Sequence, residues 1–215
     1  MLHDAKLYGI LDLGYVPQDA LSTTATLLAK SGAGIVQLRA KGFLEPEIEA
    51  MALEVQPIFR EAGIPFIIND FPEIAGRVDA DGFHLGQDDG PREAGLARFQ
   101  SARHPSQPER VPIIGRSTHS VEQATAAPAE GCDYIGYGPL FATPTKQGRP
   151  GIGLDDIAEV HQCVEIPIFC IGGIKLDNLA AVAAAGAQRV VIVSGLLDAG
   201  EAIPDRAGEI LSVLG

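Results

Sequence analysis

The sequence predicts a (β/α)8 TIM barrel of the α/β class, formed by residues 1–215 as a single domain. Short apolar runs without polar alternation recur along the chain, and such runs are typical of parallel strands covered on both faces. Eight of them share 215 residues, so each strand and its helix take about 27 residues, which suits a compact barrel. No linker rich in proline and serine divides the chain.

Each predicted strand leads into a polar or glycine-rich cluster. The strands are predicted at residues 6–13, 34–39, 63–70, 82–86, 112–117, 131–138, 166–173 and 186–194. An open doubly wound sheet is the alternative arrangement of such units. The residues after the first run, Leu13-Gly14-Tyr15, lack the G-x-G-x-x-G fingerprint and the chain has no P-loop, so the barrel is favoured.

Helices are predicted between the strands from their start signals. These are prolines suited to a first helical position, a capping box and an N-cap: Pro46, Pro91, Pro204, Ser120 with Gln123, and Asp177. Pro57 lies inside the second helical pattern and predicts a kink or an early end. Residues 101–110 are expected to form a mobile insertion before the fifth strand.

Composition limits the partners. The chain has 28 acidic and 16 basic residues, a net charge of −12, which disfavours binding to nucleic acid or an anionic membrane surface. Three scattered cysteines, no long apolar run and no export signal predict a cytoplasmic protein. An anionic substrate then requires cations, a metal or backbone amides to converge locally. The oligomeric state stays open, a homo-oligomer included.

The second strand ends in three hydrogen-bond donors. Alternation along the strand sends Gln37, Arg39 and, where the chain stays extended, Lys41 to one side. The active site of such a barrel lies at the carboxyl ends of the strands. We therefore expect these side chains to point into the barrel mouth, where two of them contribute positive charge. A solvated strand end is the alternative.

Carboxylates follow the next two strands. Asn69 and Asp70 close the third run, and Asp88 and Asp89 come just after the fourth. Two carboxylates at one rim, with room for water and phosphate oxygens, are typical of a Mg²⁺ site. A helix N-cap is the competing use, especially for Asp70.

Glycines follow the seventh and eighth strands. The loops that contain Gly173 and Ser194 occupy the position of the recurrent phosphate site of this fold, because glycine lets backbone N–H groups approach phosphate oxygens. Residues 138–151 after the sixth strand are polar and carry Lys146 and Arg149, as expected of a lid over a phosphorylated ligand. The alternative for the glycines is that they only allow the chain to turn, and the alternative for residues 138–151 is a flexible surface loop.

Other candidates are weaker. Cys170 lies within an apolar strand and is expected to be a core residue. Ser117 ends a strand and can bind a ligand, but its surroundings are not a G-x-S-x-G nucleophile elbow. His84 is expected on the fourth strand, facing the mouth.

Taken together, these segments resemble the thiamin phosphate synthase family, in the same order and over nearly the whole chain. The segments that match are Leu7-Tyr8, Val36-Gln-Leu-Arg-Ala-Lys41, Ile68-Asn-Asp70, Asp81-Gly-Phe-His-Leu-Gly-Gln-Asp-Asp89, Gly115-Arg-Ser117, Asp133-Tyr-Ile-Gly-Tyr-Gly-Pro139, Thr143-Pro-Thr-Lys146, Ile171-Gly-Gly-Ile174 and Val193-Ser194.

The resemblance implies an enzyme that joins hydroxymethylpyrimidine diphosphate to a thiazole phosphate and releases diphosphate. It implies three sets of residues: Gln37, Arg39, Lys41, Asn69, Ser117 and Lys146 for the pyrimidine diphosphate, Thr143, Thr145, Gly173, Val193 and Ser194 for the thiazole phosphate, and Asp70 and Asp89 for magnesium. Arg39, Lys41 and Lys146 are then catalytic, because they neutralise the leaving diphosphate. The implied mechanism is dissociative and needs no general base.

The chain departs from the family at two strands. It reads Ile10-Leu11-Asp12 where the family usually has a threonine before the aspartate, and Arg116 replaces a commonly apolar residue. A related thiazole tautomerase is the nearest alternative, but it is expected to lack the Gln87-x-Asp89 feature and the Thr143–Lys146 motif. A non-catalytic barrel that binds thiazole phosphate as a sensor is the alternative of another class.

Overall fold

The predicted barrel is confirmed. The computed structural model describes residues 2–105, 107, 109–142 and 150–215. Eight strands pair in chain order, all neighbours parallel, and β8 returns to β1 to close the sheet. The strands are β1 Leu7–Asp12, β2 Ile35–Arg39, β3 Phe66–Asn69, β4 Gly82–Leu85, β5 Ile113–Thr118, β6 Tyr134–Tyr137, β7 Ile168–Ile171 and β8 Val190–Val191.

Helices surround the sheet. Those in the described residues are α1 Leu21–Ala29, α2 Glu45–Ala62, α3 Pro72–Arg77, α4 Arg92–Ala102, α5 Val121–Ala126, α6 Ile157–Cys163, α7 Leu176–Ala184, α8 Ser194–Leu197 and α9 Ile203–Leu214. Short 3₁₀ turns occupy Leu2–Asp4, Gln18–Ala20 and Gly200–Ala202. In the part of the chain that is described, no helix has the length and apolar character needed to cross a membrane.

Aromatic side chains fill the interior of the barrel. Tyr8, Tyr134 and Phe169 are almost fully buried and pack edge to face, with ring centroids 5.2 to 5.7 Å apart. They belong to a cluster that is separate from the larger core between strands and helices. Successive strand residues point to opposite faces, so each strand supplies both cores. Among the described residues, these side chains therefore fill the space inside the barrel.

Three of the predicted helix starts are close to the observed ones. Pro46 is the second residue of α2, Pro204 is the second residue of α9, and Pro91 directly precedes α4. Ser120 caps α5 by accepting a hydrogen bond from the Gln123 amide. The Gln123 side chain accepts from the amide of His119 rather than from that of Ser120, so the capping box is displaced by one residue.

One predicted helix cap was wrong, and so was the early helix end predicted at Pro57, whereas the alternative of a kink there stays a prediction. Asp177 does not cap α7, because the helix begins at Leu176 and it is Asn178 Oδ1 that accepts the Lys175 amide. Helix α2 does not end early at Pro57 but continues to Ala62. Proline has no backbone N–H, so the carbonyl of Leu53, four residues earlier, has no helical donor. Pro57 and Leu53 are both exposed, so water can donate the missing hydrogen bond.

The segment 101–110 is partly helical. Helix α4 continues to Ala102 and so includes the first two residues of the predicted insertion. Residues 106 and 108 lie outside the described residues. The expected mobility of this segment therefore stays a prediction.

Candidate active site

Apart from Gln37, which is buried in the middle of β2, every predicted site residue that the structure describes lies near the carboxyl end of its strand or in the loop that follows. Because all eight strands are parallel, these ends meet at one rim of the barrel. The residues brought to this rim are Arg39, Lys41, Asn69, Asp70, Asp89, Ser117, Gly173, Val193 and Ser194, while Gln37 lies below them in the barrel interior. The predicted residues Thr143, Thr145 and Lys146 lie outside the described residues, as does Arg149.

A buried ion pair links the ends of the first two strands. Arg39 Nη1 lies 2.7 Å from Asp12 Oδ2, and the strand register places the two residues opposite each other. Asp12 Oδ1 accepts the amide of Gly14. The guanidinium is therefore held at the mouth by a carboxylate that sequence reasoning had noted only as part of a departure from the family.

Lys41 and two carboxylates form a charged corner. Lys41 Nζ lies 3.4 Å from Asp70 Oδ2. Burial raises the pKa of Asp70, Lys41 lowers it, and the nearby Asp89 carboxylate raises it again through its charge and a shared hydrogen bond. Asp70 also has φ of +66°, an uncommon backbone conformation for a residue with a side chain. Two carboxylates and one ammonium thus converge just beyond β3 and β4.

The loop that carries Asp89 is anchored at three points. Asp89 Oδ2 accepts the Gly86 amide at 2.6 Å. The side chain of Gln87 donates to the carbonyl of Ser117 at 2.6 Å, and Arg116 Nη1 donates to the carbonyl of Gly90 at 2.7 Å. Strand β5 therefore fixes the position of the Asp89 loop. Arg116, the departure from the family, is buried and takes part in this anchoring.

The carboxylate pair fits a magnesium ion. Capping does not account for Asp70, because α3 begins after Phe71 with no side-chain cap. The two carboxylates lie close together, and the pKa of Asp70 is raised. A cation between them would reduce the repulsion between their negative charges, and Mg²⁺ prefers oxygen ligands of this kind. The described residues contain no cluster of three or more acidic, histidine or cysteine side chains for a metal. A magnesium ion at this position would therefore need ligands from water or substrate in addition to the two carboxylates.

Gln37 and Ser117 are joined through the barrel interior. Gln37 Nε2 donates to the hydroxyl of Tyr8 at 2.7 Å, and Ser117 Oγ lies 3.0 Å from His84 Nε2. Tyr134 connects Tyr8 to His84. Gln37 is buried, whereas Ser117 is half-buried and therefore lies nearer the open mouth.

A cavity of about 410 Å³ lies on the opposite part of the rim, after β6, β7 and β8. Gly172, Gly173, Val193 and Ser194 line it, together with apolar side chains such as Ile171. The cavity thus combines an apolar wall with a glycine loop and a hydroxyl. Helix α8 begins at Ser194 with no side-chain cap on its first turn.

The glycine loop after β7 is held by a residue that the sequence reasoning missed. Asn178 Nδ2 donates to the Gly173 carbonyl at 3.0 Å, while its Oδ1 accepts the Lys175 amide. Gly173 has φ of +68°, and a Cβ there would lie 2.6 Å from the Cβ of Phe141. Glycine is therefore required for this loop. The asparagine three positions after the lysine in Lys175-Leu-Asp-Asn178 is the sequence signal that could have identified its anchor.

Known proteins resemble this chain along nearly its whole length. The family model described as thiamine monophosphate synthase matches residues 7–196. The chain belongs to the thiamine monophosphate synthase family. Its curated relatives are thiamine-phosphate synthases, which are transferases, in agreement with the enzyme class that the sequence predicted.

Individual family members are similar in length as well as in sequence. A thiamine-phosphate synthase of Thermus thermophilus is 40% identical over 212 residues, 95% of this chain and 96% of the relative. One of Roseiflexus is 38% identical over 90% of this chain and 78% of the relative. The solved structure of a thiamine phosphate pyrophosphorylase from Pyrococcus furiosus superposes with a TM-score of 0.83 and 28% identity, covering 99% and 96% of the two chains.

Proposed function

We propose that this member of the family is a thiamin phosphate synthase, which joins hydroxymethylpyrimidine diphosphate to thiazole phosphate and releases diphosphate. The observation that supports the proposal most strongly is the pairing of two unlike sites on one rim, of which the first would bind a diphosphate through a metal ion and the second a phosphate. One is the corner of Lys41, Asp70 and Asp89, and the other is the cavity lined by Gly173 and Ser194. A reaction between two phosphorylated heterocycles requires both.

The two substrates are assigned to the two sites by charge and shape. The diphosphate carries more negative charge and suits the corner with cationic groups and a metal, whereas the thiazole ring suits the apolar wall of the cavity. The proposed pyrimidine diphosphate site comprises Gln37, Arg39, Lys41, Asn69, Ser117 and Lys146. The proposed thiazole phosphate site comprises Thr143, Thr145, Gly173, Val193 and Ser194.

Magnesium is the proposed cofactor, held by Asp70 and Asp89. When bound, it neutralises charge on the diphosphate oxygens and so favours departure of the leaving group. Arg39 and Lys41 contribute positive charge to the same group. Each of these cations also has a carboxylate beside it, Asp12 at 2.7 Å from Arg39 and Asp70 at 3.4 Å from Lys41.

The proposed reaction is dissociative. The bond between the methylene carbon and the diphosphate oxygen breaks first, and diphosphate leaves with the electron pair. The aminopyrimidine stabilises the resulting methylene cation, and the lone pair of the thiazole nitrogen then forms the new C–N bond. Lys41, Arg39 and Lys146 bind the departing anion, while the filled barrel beneath the mouth excludes water from the cation.

The remaining proposals concern setting and assembly. Residues 1–215 are proposed to form one catalytic domain that works in the cytoplasm. Its partners are the two phosphorylated heterocycles rather than nucleic acid or membrane. A homo-oligomer is compatible with this proposal. It is not required for either site, because the described residues of both sites belong to one chain.

The test is synthesis from purified components. Protein supplied with both heterocycles should yield thiamin phosphate with magnesium and lose this activity when the metal is chelated. Lys41→Ala and Asp89→Ala should each lower turnover well over tenfold with little change in unfolding, because residues at the rim contribute little to the core. The matched controls are Lys30→Ala, at the exposed residue that follows α1, and Asp205→Ala, at an exposed position on α9.

The outcomes separate the alternatives. Isomerisation of thiazole phosphate without the pyrimidine substrate would indicate the tautomerase. Binding of thiazole phosphate with no turnover and no magnesium dependence would indicate a sensor. Ser194→Ala should weaken thiazole phosphate binding in a titration, and an unchanged affinity would remove Ser194 from the proposed site.

A further inference from the structure

Five polar side chains from five different strands form one hydrogen-bonded chain through the barrel. Gln37 Nε2 lies 2.7 Å from the Tyr8 hydroxyl, which lies 2.8 Å from the Tyr134 hydroxyl. The Tyr134 hydroxyl lies 3.1 Å from His84 Nδ1, and His84 Nε2 lies 3.0 Å from Ser117 Oγ. The chain thus begins at β2, crosses the interior and reaches the mouth at β5.

The chain is built into the protein interior rather than added at its surface. Gln37, Tyr8, Tyr134 and His84 are all buried. Edge-to-face packing against Phe169 fixes the two phenol rings. Buried polar groups that are fully paired hold one another in a defined arrangement, because any other arrangement leaves one without a partner.

A glycine creates the space for the central junction. A Cβ at position 115 would overlap the end of the Tyr134 ring and lie 2.5 Å from His84 Nδ1. At position 136, also inside the barrel, the nearest atom to an added Cβ is the His84 Cε1 at 3.7 Å. Of these two glycines, only Gly115 is required sterically, and it lies at the contact between Tyr134 and His84.

The direction of the hydrogen bonds follows from the groups available. Burial raises the pKa of both Tyr8 and Tyr134, so each hydroxyl keeps its hydrogen. Tyr8 accepts from Gln37, which leaves Tyr134 as the acceptor for its hydrogen. Tyr134 can then donate to His84 Nδ1, and a neutral imidazole in this arrangement carries its hydrogen on Nε2 and donates it to Ser117 Oγ.

We propose that His84 is a positioning residue, held in the Nε2–H tautomer by the buried chain, that makes Ser117 accept internally and so frees its hydroxyl hydrogen to donate to an anionic ligand at the mouth. This inference rests on the proposed function only in naming the ligand, the pyrimidine diphosphate. The tautomer itself is a property of the free protein. Ser117 would touch the ligand, whereas His84 acts through Ser117.

The first test is nitrogen NMR of the free protein with labelled histidine, assigned with His84→Gln. The expected spectrum shows His84 with a bare Nδ1 and a hydrogen on Nε2. Tyr134→Phe removes one hydroxyl from the chain and should give a mixture of tautomers. Tyr137→Phe, on the same strand but directed to the outer core, should leave the spectrum unchanged. A hydrogen on Nδ1 in the unmodified protein, or an unchanged tautomer in Tyr134→Phe, would overturn the proposal.

The second test is the affinity for the pyrimidine diphosphate. His84→Asn removes the donor to Ser117 and should weaken binding about five- to tenfold, the effect of one lost hydrogen bond. His84→Gln carries an amide near the position of Nε2 and should restore most of the affinity, while the thiazole phosphate affinity changes in neither variant. Equal loss in both variants, or equal loss for both ligands, would indicate a general structural role and contradict the inference.

The two proposals fail in different ways. Protein that makes no thiamin phosphate would contradict the proposed function but leave the tautomer measurement intact. Active protein with the other tautomer would contradict only the role of His84.

Discussion

The guanidinium of Arg39 lies 2.7 Å from the carboxylate of Asp12, whose side chain is only 1% exposed. The two residues end adjacent strands in register, so the pair joins the top of β1 to the top of β2. A buried carboxylate of this kind is stabilised by its partner, and removal of either one leaves a charge without compensation. The pair therefore stabilises the barrel and orients Arg39 at the same time.

Asp12→Ala should accordingly lower the free energy of unfolding by about 3 kcal/mol, because it leaves Arg39 unpaired and the Gly14 amide without its acceptor. Asp12→Asn keeps an oxygen for the Gly14 amide and should cost less. Urea unfolding of the three proteins measures the difference. Equal unfolding midpoints for all three would contradict the role of the pair.

Arg116→Leu tests whether the Asp89 loop depends on its anchor. The substitution replaces the guanidinium by an apolar side chain and removes the hydrogen bond to the Gly90 carbonyl. It also removes a buried Nε that has no partner among the described residues, which limits the loss of stability. We expect the magnesium concentration for half-maximal activity to rise about tenfold, as is found for residues that orient metal ligands.

The control for this measurement is Arg189→Leu, which removes an arginine that donates to the His3 carbonyl, remote from the loop. Its magnesium dependence should match that of the unmodified protein. A normal magnesium dependence in Arg116→Leu would show that Gln87 and Gly86 hold the loop without the arginine.

Gly115→Ala and Gly136→Ala form a matched pair inside the barrel. The added methyl at position 115 would overlap Tyr134, whereas at position 136 it meets only ordinary contact distances. Overpacking of a close-packed core costs about 1 to 3 kcal/mol, so Gly115→Ala should be destabilised by that amount and Gly136→Ala by clearly less. Thermal unfolding checks this prediction, and equal melting temperatures would contradict it.

These relationships mark the limit of what the sequence could predict. The strands were predictable because parallel strands read as uninterrupted apolar runs, and the rim position of Lys41 and Asp70 followed from where those runs end. The partners of these residues were not predictable, because Asp12 and Arg39, or Arg116 and Gly90, are distant in sequence and meet only through strand register. The prediction that Asp177 caps α7 was wrong for a local reason, because Asn178, one residue later, makes the capping hydrogen bond.

Cysteine reactivity offers a prediction that does not depend on the proposed function. Burial raises the pKa of the Cys132 thiol to about 11 and that of Cys170 to about 12, whereas Cys163 is exposed. The thiolate is the reactive form, so at pH 8 only Cys163 should react rapidly with a chromogenic disulfide reagent. Native protein should release one equivalent of product and denatured protein three. Rapid labelling that persists in Cys163→Ser would contradict this assignment.

His161 should make the protein less stable in mild acid. Burial lowers its pKa, Arg189 lowers it further, and Nε2 of His161 is buried without a hydrogen-bond partner in the described part of the chain. In the unfolded chain the histidine binds a proton at about pH 6.5 and below, whereas the folded protein binds it only at lower pH. Stability is therefore unaffected by this group above about pH 7 and falls as the pH decreases from there.

The variant His161→Leu removes this proton uptake and should lose less stability than the unmodified protein between pH 7 and pH 5. The difference in unfolding free energy between the two proteins is measured in urea at each pH. The measurement at pH 8 is the reference, because the histidine is neutral there in both the folded and the unfolded chain. Since the unfolded state gains the proton, the unmodified protein must weaken relative to the variant. A difference that stays constant down to pH 5 would mean that folding does not change the affinity of His161 for its proton.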